Sequence, residues 1–148
     1  MKHHPRTDNG FSFSTITPVR ITDINYGNHL GHIGLIGMFH NARVLFLNQH
    51  GFDEMNISGA GLILLNSTYS FIKETFFNTT LHVSVGINEL SKSRLCFLYK
   101  ATDQKTGVDV ANGQEEFAYF NYEKRKIMRI SGQFLDFCKN AQKNSCSP

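Results

Sequence analysis

The sequence predicts an α+β domain in which one antiparallel sheet curls round a single long helix. Two observations lead there. Residues 31–50 carry one long helical stripe. The chain after them falls into consecutive strand patterns joined by short turns. No repeat or linker divides the chain, and its 148 residues suit one domain spanning 1–148 with its own core.

The elements follow in order. Phe11, Phe13, Ile16, Val19 and Ile21 are spaced by Ser and Thr, which predicts a first strand from Phe11 to Thr22, bent at Pro18. A glycine-rich polar turn follows, holding Asp23, Asn25, Tyr26, Asn28, His29 and His32. It feeds a helix from about Gly31 to His50, with Leu35, Phe39, Ala42 and Phe46 on its apolar stripe and Gly51 as its C-terminal cap. At 1.5 Å per residue that helix is roughly 30 Å long. Gly59-Ala60-Gly61 opens a strand that runs through Ile72. Leu81, Val83, Val85 and Ile87 alternate with polar or small residues, and Leu95, Phe97, Tyr99 and Ala101 repeat the pattern. Asp103 to Gly107 has turn chemistry. Val108 to Asn121 and Ile127 to Ile130 read as strands around a basic turn. The core thus covers about residues 11–130. A short helix over 132–140 and a fraying Ser/Asn/Pro tail complete the chain.

Composition narrows the function classes. Hydrophobic residues make up 41%, enough for a real core, and charged residues at 18% are too few for a disordered chain. The net charge is only +3, and the one dense basic run, Lys124-Arg125-Lys126, sits where a solvated turn belongs, so no nucleic-acid partner is expected. Cys96, Cys138 and Cys146 are odd in number and lack metal-ligand spacing. They imply no metal site and a reduced, cytoplasmic compartment. His3-His4 is a polar tip rather than a metal site, and Met1 to Gly10 has no apolar signal region. No window approaches the ~18 apolar residues needed for a membrane span.

Several short motifs stand in a telling order. They are Asp23-x-Asn25 at the end of strand one, His29 in the turn, Ala42-Arg43 in the helix, and Gly59-Ala60-Gly61-Leu62-Ile63 at the next strand. This order resembles the hotdog-fold thioesterase superfamily. The nearest branch is the 4-hydroxybenzoyl-CoA thioesterase-like one, with its bacterial acyl-CoA thioesterase relatives. Those chains read roughly D-x-D-x-x-G-H-V, then a helix with E-A-R, then a long β-meander. The resemblance covers about Phe11 to Ile130. Two positions depart from it: Asn25 stands at the second acidic position, usually the catalytic carboxylate, and Asn41 replaces the helix glutamate. The plant acyl-ACP thioesterases carry D-x-N-x-H, which Asp23-x-Asn25 matches, with the His two residues later at His29. The resemblance implies a hotdog fold and hydrolysis of an acyl-CoA or acyl-ACP thioester by an Asp23/Asn25/His29 set. It implies no cofactor beyond the CoA thioester as substrate. It also implies a homodimer with continuous sheets and sites at the interface, or a tetramer of two such dimers.

Thioester hydrolysis needs an activated water, donors for the developing oxyanion and a slot for the acyl chain. An imidazole suits the base role near neutral pH, which makes His29 the first candidate. Asp23 can orient it, hold the water or act as base itself. Asn25 offers an amide to position water or carbonyl. Backbone N–H groups near Gly31 and His32 can donate to the oxyanion. Gly27, Gly31, Gly34 and Gly37 cluster at the helix start, which fits close approach of a ligand or another backbone, or tight packing of the helix against the sheet or a second subunit. Asn66 and Thr68 share one strand face and are candidates for the acyl pocket, with solvent exposure as the alternative. Arg43 is expected in an ion pair or solvent rather than on a CoA phosphate. Glu115 and Glu116 are expected on a strand surface. Two other functions compete: a hotdog enoyl-CoA hydratase, whose D-x-N-x-x-H differs here by one extra residue, and a non-catalytic acyl-binding hotdog protein.

Overall fold

A computed structural model describes residues 10–89 and 91–145. The N-terminal segment with His3-His4, and Cys146 in the tail, lie outside the described residues. The elements are β1 (Phe13–Pro18), α1 (His32–Gln49), β2 (Gly61–Phe71), β3 (Thr80–Glu89), β4 (Arg94–Asp103), β5 (Asp109–Asn121), β6 (Lys126–Ile127) and α2 (Gly132–Ser145). The strands form one antiparallel sheet in the order β1–β3–β4–β5–β2, and β6 pairs with the end of β5.

Alternation decides which face meets the helix. Leu81, Val83, Val85 and Ile87 of β3, Leu95, Phe97, Tyr99 and Ala101 of β4, and Phe117 and Tyr119 of β5 are all buried. α1 lies on that face. Its Phe39 stacks on Tyr99 at 4.7 Å between ring centres, and its Phe46 stacks on Phe13 of β1 at 5.4 Å. Each such buried aromatic contributes roughly 1.5–3 kcal/mol by leaving water. α1 ends as its sequence suggests: Gly51 takes a φ of +79°, which a residue without Cβ adopts freely.

Three expectations are corrected. The first strand stops at Pro18 rather than Thr22, because β1 pairing ends at Pro18–Thr80 and the chain then winds into one 3-10 turn, Ile21–Asp23. The last strand is only Lys126–Ile127. Ile130 leaves the ladder and is buried, its N–H bonding the Lys92 carbonyl at 2.8 Å. α2 runs five residues past Asn140, to Ser145. Its Phe134 and Phe137 pack on Phe52, Phe137 also meets Phe46, and the Ser12 hydroxyl donates to the Ala141 carbonyl at 2.9 Å.

Candidate active site

The polar turn and the start of α1 are built as one unit. Asp23 is buried, and its carboxylate accepts from the Arg20 backbone N–H at 2.8 Å and pairs with the Arg20 guanidinium at 3.2 Å. The Asp23 carbonyl accepts the Gly31 N–H at 3.0 Å. Between them the chain makes a tight loop. Asn25 N–H donates to the His29 carbonyl and Asn28 N–H to the Asn25 carbonyl, both at 3.0 Å, with Asn28 at φ +66°. The Asn25 side-chain oxygen accepts the Gly27 N–H at 2.9 Å, which leaves its amide NH₂ to donate elsewhere.

Gly31 and Gly34 make this approach possible. A Cβ on Gly34 would stand 2.8 Å from the backbone oxygen and Cβ of Asp23, and one on Gly31 would stand 3.0 Å from the Asn25 Cβ. The close neighbour that these glycines admit is therefore the chain's own turn. Gly37 differs, with nothing within 4 Å of its Cβ position.

The helix start is open. No side chain caps α1, no acidic residue lies in its first turn, and its first internal bond runs from Leu35 N–H to the Gly31 carbonyl. The N–H groups of His32, Ile33 and Gly34 therefore have no partner within the helix. His32, at the start of this set, lines a cleft of about 350 Å³. Its lining includes Asn25, His29, Leu30, Gly31 and His32 from the turn and helix start, and Phe71, Ile72, Lys73, Glu74, Thr75, Val110 and Ala111 from the sheet and the loop after β2. The His29 ring is half-buried, with Nδ1 3.4 Å from the Leu30 carbonyl and Nε2 beside Gly27.

The structure brings together only part of the predicted set. Asn25, His29, Gly31 and His32 share the cleft. Asp23 does not line it, because Arg20, three residues earlier, takes its carboxylate. The Gly31 N–H is likewise taken by Asp23, which moves the donor role to the next residues. Asn66 and Thr68 pair with Glu116 and Gln114, and cross-strand partners share a face. The neighbouring Glu115 reaches Arg43 of α1, so Asn66 and Thr68 lie on the sheet face away from the helix.

Sequence reasoning missed the far wall. Phe71 and Ile72 were visible only as the apolar end of a strand. Glu115 is also not on the surface as expected. It is 3% exposed and accepts from Arg43 at 2.5 Å, while Glu116 is half-buried and pairs with Arg94 at 3.1 Å. His40 is exposed, 3.4 Å from Glu54. Cys96 is buried, and burial pushes its thiol up, away from the nucleophilic thiolate. Among the described residues no three His, Cys, Asp or Glu side chains are grouped to hold a metal, and no helix is long and apolar enough to cross a membrane.

Comparisons with known proteins agree on the architecture. No curated protein matches the chain. A hypothetical protein of Staphylococcus aureus, solved in complex with CoA, superposes with a TM-score of 0.82 at 17% identity, covering 92% of this chain and 87% of that one. A 1,4-dihydroxy-2-naphthoyl-CoA thioesterase from Synechocystis gives 0.74 at 19% identity over 80% of this chain and 89% of its own. A DHNA-CoA thioesterase from Staphylococcus aureus gives 0.74 at 19% identity over 88% of each. At these identities the likeness is one of fold. The family model of the thioesterase-like superfamily matches residues 19–138, most of the chain. The chain therefore belongs to the thioesterase-like superfamily and has its hotdog fold.

Proposed function

We propose that the protein hydrolyses an acyl thioester, carried on CoA or an acyl-carrier protein, at the cleft where α1 begins. The observation that carries this reading is the uncapped helix start opening beside His29 and Asn25. With Nδ1–H donated to the Leu30 carbonyl, His29 keeps its Nε2 lone pair for a water. The Asn25 NH₂ positions that water or the thioester carbonyl. The N–H groups of His32 and Ile33 receive the oxyanion, a contribution of about 2.7–4 kcal/mol per donor in comparable sites. Asp23 acts indirectly, by holding the turn that carries Asn25.

The dimer belongs to the same proposal. β2 is a sheet edge of 11 residues, and its Leu64 and Phe71, with Ile72 just after it, are each about half exposed. Such an edge invites a second copy. Phe71 and Ile72 also form the cleft wall, so a partner on β2 would close the site.

The test is thiol release from a panel of acyl-CoAs. His29→Ala should lower kcat/KM by about 100-fold or more, the usual range for a general base. Asn25→Ala should lower it at least about tenfold, as expected of a positioning group. Loss of enoyl absorbance without thiol release would mean a hydratase, and binding with neither reaction would mean a non-catalytic acyl-binding protein.

A further inference from the structure

The two ends of α1 open on different spaces. His32 at its start lines the cleft described above, whereas Phe46 and His50 at its end border a second cavity of about 400 Å³. That cavity lies in the seam where α2 packs against the end of α1. Roughly 27 Å of helix separates the two ends, at 1.5 Å for each of the 18 residues.

The lining divides by depth. Phe46, Phe52 and Phe137 are buried and form the floor. The ring centres of Phe46 and Phe52 lie 5.1 and 5.4 Å from that of Phe137, and their planes cross it at 57° and 56°, so the floor combines ring faces with ring edges. His50, Gln133, Asp136 and Asn140 are exposed and form the rim. An apolar floor below a few convergent polar groups is the usual build of a small-molecule site.

The rim has one electrostatic sign. Asp136 is the one carboxylate in the lining, which holds no Lys or Arg, and among the described residues Asp136 forms no ion pair. His50 Nδ1 lies 3.0 Å from the Phe46 carbonyl. A carbonyl can only accept, so Nδ1 carries the proton and Nε2 of the neutral ring is left as an acceptor. Ser12 donates its hydroxyl proton to the Ala141 carbonyl at 2.9 Å and keeps only lone pairs. The Gln133 and Asn140 amides can turn either way. The cavity therefore complements a ligand that brings a positive charge and N–H donors, and it opposes an anion.

We infer that this cavity is a second binding site, which takes a small organic amine in its protonated form. The apolar body of the ligand rests on the phenylalanine floor, and its ammonium group sits at the rim between Asp136 and His50 Nε2. Aromatic faces attract cations, so the floor favours the same sign as the rim. The inference stands apart from the hydrolytic reading, which concerns the other end of α1.

The test uses three probes with one phenethyl body and different charges: phenethylammonium, 2-phenylethanol and 3-phenylpropionate. Calorimetric titration near neutral pH should give a Kd for the ammonium at least about fivefold below that of the alcohol, with the carboxylate weakest of the three. Asp136→Asn keeps the shape of an exposed side chain and removes its charge. It should bring the ammonium-to-alcohol ratio below about twofold and leave the alcohol unchanged. In proton NMR the ammonium should move the ring resonances of His50. Absence of ammonium binding at millimolar concentration overturns the inference, as does equal affinity for the three probes. A preference that survives Asp136→Asn also overturns it, and so does a shift at His29 without one at His50, which would place the ligand in the first cleft.

Discussion

Asp23 and Asn25 stand two residues apart and do different work. Asp23 is spent on Arg20 and the turn, whereas Asn25 faces the cleft with a free amide. The motif was legible in the sequence. Its division of labour was not, because nothing in D-x-N marks Arg20 as the partner that removes Asp23 from the site. Glu115 was illegible for a similar reason: its buried partner lies 72 residues away on another element. Residue chemistry also sets an alkaline limit. Burial, then the hydrogen bond to Glu115, push the Tyr69 hydroxyl up to about 12, and burial raises Tyr99 and Tyr119 as well. The folded state thus holds these protons more tightly than the unfolded chain does. Their stabilisation is complete below about pH 10, the ordinary tyrosine value, and is lost as pH rises through about 12. Urea unfolding across that window should show stability falling, and Tyr69→Phe should make the fall shallower. An unchanged slope in the variant would deny Tyr69 this role.

Among the elements, α1 carries the sharpest contrast. Alanine is the better helix former by about 1 kcal/mol wherever space allows. At Gly37 space is open, so Gly37→Ala should stabilise the protein by up to about 1 kcal/mol in thermal or urea unfolding. At Gly34 the added methyl would meet Asp23 backbone at 2.8 Å, and the same substitution should destabilise by about 1–3 kcal/mol. Equal effects at the two positions would contradict the packing described. The helix and the strands β3 to β5 were readable because each buries one regular face. β2 was readable only in outline. Its pairing with β5 jumps between Leu64 and Asn66, and the extra residue, Leu65, reverses which side chains face α1 from there on. A bulge leaves no mark on an alternation pattern that is already mixed, so the two faces of β2 were hard to assign.

At the scale of the whole molecule, the described residues form six antiparallel strands packed on α1, and the sheet ends in the edge strand β2. The proposed dimer predicts sedimentation as at least a dimer at micromolar concentration. Leu64→Lys, which puts a charge on that edge, should shift the protein toward monomer while leaving the fold intact by circular dichroism. A wild-type monomer would contradict the assembly. The fold class was legible from periodicity, whereas the proposed assembly was expected from the resemblance, and the exposed apolar edge that bears on it becomes visible only once the strand order is known. The shared use of Phe71 and Ile72, as cleft wall and as edge, has a kinetic meaning. If one surface both meets the second copy and shapes the pocket, turnover obeys mass action in the protein itself. In dilute solution the rate rises with the square of chain concentration and becomes linear only once the pairs have formed.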